Sequence, residues 1–357
     1  MSIRSSVRLG LILLLVAGAR GLPAATEDPG PFVLGGLTAR PGEVVSGYLD
    51  VPDTDGHGAR IPVTLIHGAA KGKVVAFVAG VHGYEYPPIL ALYRLKGMVD
   101  PSTLKGTIVL VHIANPPSFQ KRTIYYGPVD GKNLNRVFPG DPKGTLSQRI
   151  AHVLTKEVIG ASDVVVDMHC GDGNEALIPY TYWMIGPDKA LNEVSRGLAL
   201  AFGIPVIIID DTRTQDPADS KYFGNTAILR GKAAITTEAG ALGGTDEASV
   251  LMNLGGALNV LRHLGMVPGR PEPAPVAAWI DKYEVVLSPQ NGLFYPFVET
   301  GRYVVKGQKI GRVTDDLGAV RAEMTAPFSG IVLYIVGTPP TVQGEPLFEV
   351  GRVREDR

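Results

Sequence analysis

Val74-Val-Ala-Phe-Val-Ala-Gly-Val81, followed at once by His82-Gly-Tyr-Glu85, is the stretch from which the fold is read. A short apolar run rich in valine and ending at glycine reads as a buried strand. The residues after it place an imidazole and a carboxylate three positions apart at the strand's end. Zinc takes His nitrogen and Asp/Glu oxygen in a tetrahedral shell, and a catalytic site keeps one position for water. The pair alone says little. A second run, Val164-Val-Val-Asp-Met-His169, ends in another imidazole. Two His and one Glu form a hydrolytic ligand set rather than a closed structural one.

Outward from these runs, short apolar segments alternate with helical stretches. Strands are expected at Val74–Val78, Thr107–Ile113, Val164–Met168, Val206–Ile209 and Ala233–Thr237. Helices are expected at Pro87–Leu95, Leu146–Ile159, Lys189–Ala201 and Ala248–Leu264. Strands apolar on both sides, set between helices, predict an α/β domain with helices covering a largely parallel sheet. Ahead of it, Phe32–Leu65 alternates apolar and polar residues and predicts a few antiparallel strands. Behind it, Pro268–Ala278 is a Pro-rich linker. From Tyr283 to Val350 the helical period disappears and glycine punctuates short apolar runs, which predicts a small all-β barrel or sandwich. The expected division is a signal peptide at 1–25, a catalytic domain with N-terminal strands at 26–267, a linker at 268–282 and the β domain at 283–352.

Arg4 and Arg8 precede an apolar stretch, Leu9–Ala19, with small residues at Ala17, Ala19, Ala24 and Ala25. This is the pattern of a cleaved secretory signal, with the cut within Ala17–Thr26 and export to a periplasm or the extracellular space. The stretch is short for a membrane span, although an uncleaved anchor is the alternative. After signal removal no stable membrane insertion is expected. The chain has one cysteine, Cys170, so no internal disulfide can form and stability must come from the core. Cys170 reads as a small buried hydrophobe. A net charge of −1 offers no basic surface to nucleic acid.

In an open α/β sheet, reactive groups gather beyond the carboxyl ends of the strands. His82, Glu85 and His169 fall at such ends, and so does Glu238, which closes Ala233-Ala-Ile-Thr-Thr-Glu238. Glu238 is the candidate general acid/base; its alternative is a carboxylate at a helix N-terminus. Asp167, two residues before His169, shares its face on a strand and is a candidate for orienting an imidazole of the site. Between the ligand strands lies a long polar loop: Asn115-Pro-Pro-Ser-Phe-Gln-Lys-Arg122, then Asp130-Gly-Lys-Asn-Leu-Asn135-Arg136-Val-Phe-Pro-Gly140. Arg136 with Asn135 could hold a substrate carboxylate, and Arg122 could steady a developing oxyanion. Either arginine could equally be a surface residue. The polar segment Asp210–Asn225 is a candidate specificity loop, with Arg213 and Lys221 available for a second acidic group.

Taken together, the His-Gly-Tyr-Glu, Asn-Leu-Asn-Arg-Val-Phe-Pro-Gly, Asp-Met-His and Glu-Ala-Gly strings resemble the succinylglutamate desuccinylase/aspartoacylase family, relatives of the zinc carboxypeptidases. The resemblance runs from about Lys73 to Leu264, and the tail resembles that family's C-terminal domain. It implies a mixed sheet flanked by helices, so some antiparallel strands are expected. It also implies one zinc per chain on His82, Glu85 and His169, and Arg122 polarising the scissile carbonyl. Asn135 and Arg136 would bind the α-carboxylate of an N-acyl amino acid, and Glu238 would act as acid/base. The tail also looks like a biotinyl or lipoyl barrel, but its hairpin residues Asp315-Asp-Leu-Gly318 and Glu323-Met324 offer no carrier lysine. It is therefore expected to be structural or to rim the substrate mouth, with Tyr295 within conceivable reach of the site.

The leading expectation is an exported zinc amidohydrolase that cleaves the amide of an N-acyl amino acid or a similar small amide. A carboxypeptidase-like enzyme acting on short or cell-wall peptides is the second reading. A non-catalytic binding protein is the third, disfavoured by the completeness of the ligand-plus-base set. The oligomeric state is left open.

Overall fold

The computed structural model describes residues 28–54 and 56–355. The signal-like segment, Arg4 to Thr26, lies outside the described residues. No helix among those described is long and apolar enough to cross a membrane.

Three strands form the centre: Ala70–Ala79, Val164–His169 and Ala233–Glu238, parallel and side by side. Their residues are buried on both faces. Val75, Phe77 and Ala79 join one hydrophobic cluster, while Ala76 and Val78 join the other. Period-2 alternation with both faces apolar requires a layer of structure on each side. On the first side pack the helices Tyr86–Met98, Lys189–Phe202 and Glu247–His263. Asp188 and Asp246 cap the latter two by accepting from backbone N–H groups of their first turns. On the second side lie Leu146–Val153, continuing as a π-helical turn through Ile159, and the short helix Phe223–Ile228.

The sheet is mixed, as expected. Lys105–Val111 extends it in parallel beside Ala70–Ala79, and the hairpin Val44–Thr54/His57–His67 closes that edge antiparallel. On the other side Tyr180–Met184 is wedged antiparallel against Ala233–Glu238 and parallel to Val206–Asp210. The sequence reading passed over this strand, although its Tyr-Thr-Tyr-Trp-Met content is typical of strands.

The strand Ala278–Leu287 begins inside the segment read as linker. It pairs in parallel with Val206–Asp210 and then antiparallel with Pro346–Val353. Catalytic region and tail therefore share one continuous sheet. Beyond it, Gly330–Val336 adds a further antiparallel strand. A separate four-stranded antiparallel sheet, built from Val320–Thr325, Lys309–Thr314, Gly292–Pro296 and Pro340–Thr341, packs against this extension. Phe294 meets Phe348 edge to face across the two layers at 5.1 Å.

Candidate active site

Parallel pairing brings the carboxyl ends of the three central strands to one edge of the sheet. His82 follows the first strand through Gly80-Val81. Glu85 sits immediately before the helix Tyr86–Met98, which has a proline in its first turn. Gly83, between them, lies against another loop. A Cβ there would stand 2.3 Å from the Thr123 carbonyl oxygen and 2.7 Å from that of Ser118. Only glycine lets these two backbones meet. His169 ends the second strand.

The three candidate ligands are buried, and their donor atoms lie within 4.8 Å of one another. His82 Nδ1 and His169 Nδ1 each lie 2.8 Å from the same oxygen, Glu85 Oε1. Glu85 Oε2 accepts from the His82 backbone N–H at 3.1 Å. Burial alone would raise the Glu85 carboxyl, but the two imidazoles outweigh it and hold the group far below the usual carboxylate range. Burial lowers His169, yet Asp167 and Glu85 more than reverse this and push it well up. His82 is raised more gently, with Glu85 overcoming the cost of burial. Two imidazole nitrogens thus converge on one carboxylate oxygen. This buried N, N, O donor set fits the zinc that the sequence implies.

Each imidazole is also gripped at its far nitrogen. His169 Nε2 lies 3.0 Å from Asp167 Oδ1 and 3.4 Å from Asn135 Nδ2. His82 Nε2 lies 3.1 Å from Asn133 Oδ1. Such partners fix which nitrogen faces the metal position. Asp167, a candidate for orienting an imidazole, lies beside His169. Asn133 was overlooked in that role, although it sits in the Asn-Leu-Asn string.

Glu238 is in register with His169 on the adjacent parallel strand and faces the same cleft. Burial pushes its carboxyl well up; His169 opposes the shift, and Glu85 and Glu175 add to it. A raised carboxyl holds a proton more readily than an ordinary one, which suits a group that must later deliver it.

The cleft is small, about 200 Å³. Two guanidiniums flank one aromatic ring in its wall. Arg136 lies 4.6 Å from the centre of the Tyr222 ring and Arg213 lies 3.9 Å from it. Arg136 donates to the Asn135 carbonyl at 2.8 Å. Arg213 is ion-paired with the buried Asp210. The Asn135 side chain is buried, and its Oδ1 accepts from the Phe223 N–H at 2.8 Å. The tail completes the wall with Val285, Tyr334, Pro346 and Glu349.

With this geometry in place, comparison with known proteins gives a consistent result. Residues 71–264 match the model of the succinylglutamate desuccinylase/aspartoacylase catalytic domain. The chain is 33% identical over 283 residues to the N-alpha-acetyl-L-2,4-diaminobutyric acid deacetylase of Halomonas elongata, covering 76% of this chain and 80% of that one. This chain belongs to the succinylglutamate desuccinylase/aspartoacylase family. Two solved members agree in architecture. A Rhodobacter sphaeroides succinylglutamate desuccinylase/aspartoacylase is 29% identical with a TM-score of 0.77, covering 87% of this chain and 96% of its own. The product-bound ectoine utilization protein EutE (DoeB) of Ruegeria pomeroyi is 26% identical with a TM-score of 0.78, covering 92% and 100%.

Within this family member, three residues singled out from sequence do not line the cleft. Arg122 is exposed at the left-handed end of the short helix Pro116–Lys121, with φ +52°, and the chain turns there before it enters the site. Lys221 is exposed and lies 3.5 Å from Asp219. Tyr295 stands in the outer sheet of the tail beside Arg312. The cleft's guanidiniums are instead Arg136 and Arg213. Sequence reading also missed Glu175 and Glu349, which no local pattern marks. The long polar loop between the ligand strands contains the helix Pro116–Lys121 and a 3-10 turn, Leu134–Arg136. The candidate specificity segment runs into the helix Phe223–Ile228.

Proposed function

We propose that this protein hydrolyses the amide of a small N-acyl amino acid, with one zinc held by His82, Glu85 and His169. The observation that carries the reading is Glu238 beside His169 in a cleft of about 200 Å³. That space accommodates one small acyl amino acid. The Halomonas relative is named as a deacetylase of an N-acetylated amino acid, which supports the same bond.

When bound, zinc would lower the pKa of a water molecule and polarise the acyl carbonyl. Glu238 takes a proton from the attacking water. It delivers that proton to the amide nitrogen as the C–N bond breaks, so a carboxylic acid and a free amine leave. Arg136 holds the substrate carboxylate, its guanidinium stacked on Tyr222 and braced on the Asn135 carbonyl. Asn135 steadies this corner by joining the His169 loop edge to the Phe223 backbone. Asp167 and Asn133 fix the two imidazoles.

The test is metal analysis of the purified protein together with mass spectrometry of products from a panel of N-acyl amino acids and short peptides. One zinc per chain and chelator-sensitive release of an acyl acid are expected. Release of a terminal amino acid would assign the carboxypeptidase reading instead. No zinc after reconstitution would remove the ligand assignment.

We also propose export, on the strength of Arg4, Arg8 and the apolar Leu9–Ala19. N-terminal sequencing of protein from the producing cells should begin within Ala17–Thr26. An intact Met1 on all of it would overturn export.

A further inference from the structure

Glu349 is a buried carboxyl in the cleft that this chemistry does not use. It stands on the strand Pro346–Val353, only 8% exposed, and faces the same space as Glu238. Its Oε1 has no hydrogen-bond partner among the described residues. The nearby cation, Arg213, is already engaged by Asp210 and by the Tyr222 ring. Glu175, another acid of that wall, is well supplied: Oε1 accepts from the Tyr125 hydroxyl at 2.9 Å and Oε2 from the Asp172 N–H at 2.8 Å. Asp167 Oδ1 also lacks a hydrogen-bond donor, but it lies 3.0 Å from His169 Nε2, whereas no ion pair among the described residues engages Glu349. A buried acceptor without a donor destabilises the site it lines. In the wall of a binding cleft, a ligand that brings the donor relieves this cost.

We propose that Glu349 is a specificity-determining residue whose carboxylate receives a protonated amine on the side chain of the substrate's amino-acid half. The proposal rests on the deacylase reading above. Burial pushes Glu349 up to about 8, with Arg213 opposing and Asp210 and Glu175 adding. An approaching ammonium favours its ionised form, and a charge-assisted hydrogen bond follows.

The experiment compares three N-acetyl-L-amino acids on the zinc-loaded full chain: the 2,4-diaminobutyrate, the 2-aminobutyrate and the aspartate derivatives. The wild type should prefer the diamino substrate over the neutral one in kcat/KM by about ten- to a hundredfold. Glu349→Gln, which keeps the shape, should collapse that ratio at least tenfold. A proportional loss on all three substrates, or no wild-type preference, would overturn the proposal. Calorimetric binding of free L-2,4-diaminobutyrate and L-2-aminobutyrate to both proteins separates the two readings. If nothing is hydrolysed but the diamino acid binds more tightly and loses that advantage in Glu349→Gln, deacylation fails and Glu349 stands. Equal binding of both amino acids to the wild type would overturn the proposal. Melting temperatures of wild type and variant should agree within a few degrees; a large drop would make Glu349 structural.

Discussion

At the scale of single residues, the site depends on what each buried polar atom faces. Glu85 serves both imidazoles through one oxygen and its own loop through the other. Glu238, one strand over, keeps a carboxyl that burial raises. Glu238→Gln should retain zinc at wild-type stoichiometry while kcat falls by about 10²–10⁴, as expected when a general acid/base is lost. Metal analysis and steady-state rates on the same sample check this. Wild-type turnover in the variant would take Glu238 out of the proton path. The ligand-like residues and Glu238 were legible in the sequence because each ends an apolar run, and strand ends converge in an open sheet. Asp167 was legible from its spacing to His169. Arg122 was read from its motif alone, and a motif fixes residue type and not which way a loop turns. At φ +52° the chain turns there, and the residue stays exposed outside the cleft. Asn133 and Glu349 escaped for another reason: their importance comes from partners distant in sequence.

At the scale of elements, the close crossing of the His82-Gly83-Tyr84-Glu85 turn and the Ser118–Thr123 loop holds two ligands still. Gly83→Ala forces a methyl carbon into backbone oxygens that cannot rotate away. It should lower stability by more than about 2 kcal/mol and reduce zinc occupancy. Chemical denaturation and metal titration would measure both, and wild-type values for both would show that the crossing is not tight. The long helices were legible from apolar spacing, with ends within a few residues of expectation. The strand Tyr180–Met184 was not, because a five-residue aromatic run carries little periodicity. Nor was Ala278–Leu287, whose start in a Pro-rich stretch masks the strand that follows.

At the scale of the whole molecule, stability should depend on pH through groups far from the site. His112 is buried, stacked on Tyr93 at 4.5 Å and hydrogen-bonded to Thr64 at 2.9 Å. Burial, with a smaller push from Lys96, lowers it to about 4. Between about pH 6.5 and 4 the unfolded chain binds this proton and the folded protein does not. His112's contribution is therefore fully present above that window and is lost as the pH falls through it. Melting temperatures of wild type and His112→Asn from pH 7.5 to 4.5 should converge toward the acid end. Parallel curves would show that His112 does not titrate in this way. The α/β core and the all-β tail were both foreseeable from composition and periodicity. Their joining into one sheet was not, since strand pairing between distant segments leaves no local trace.

That joined sheet also has a consequence in time. The wall bearing Glu349 and Pro346 is laid down long after the ligand-bearing turns. A chain delivered N-terminus first can bring His82, Glu85 and His169 together while one side of the cleft has still to arrive. Metal uptake and substrate discrimination should therefore appear at different moments of folding, and stopped-flow refolding with a zinc-sensitive and a substrate-analogue probe would separate them.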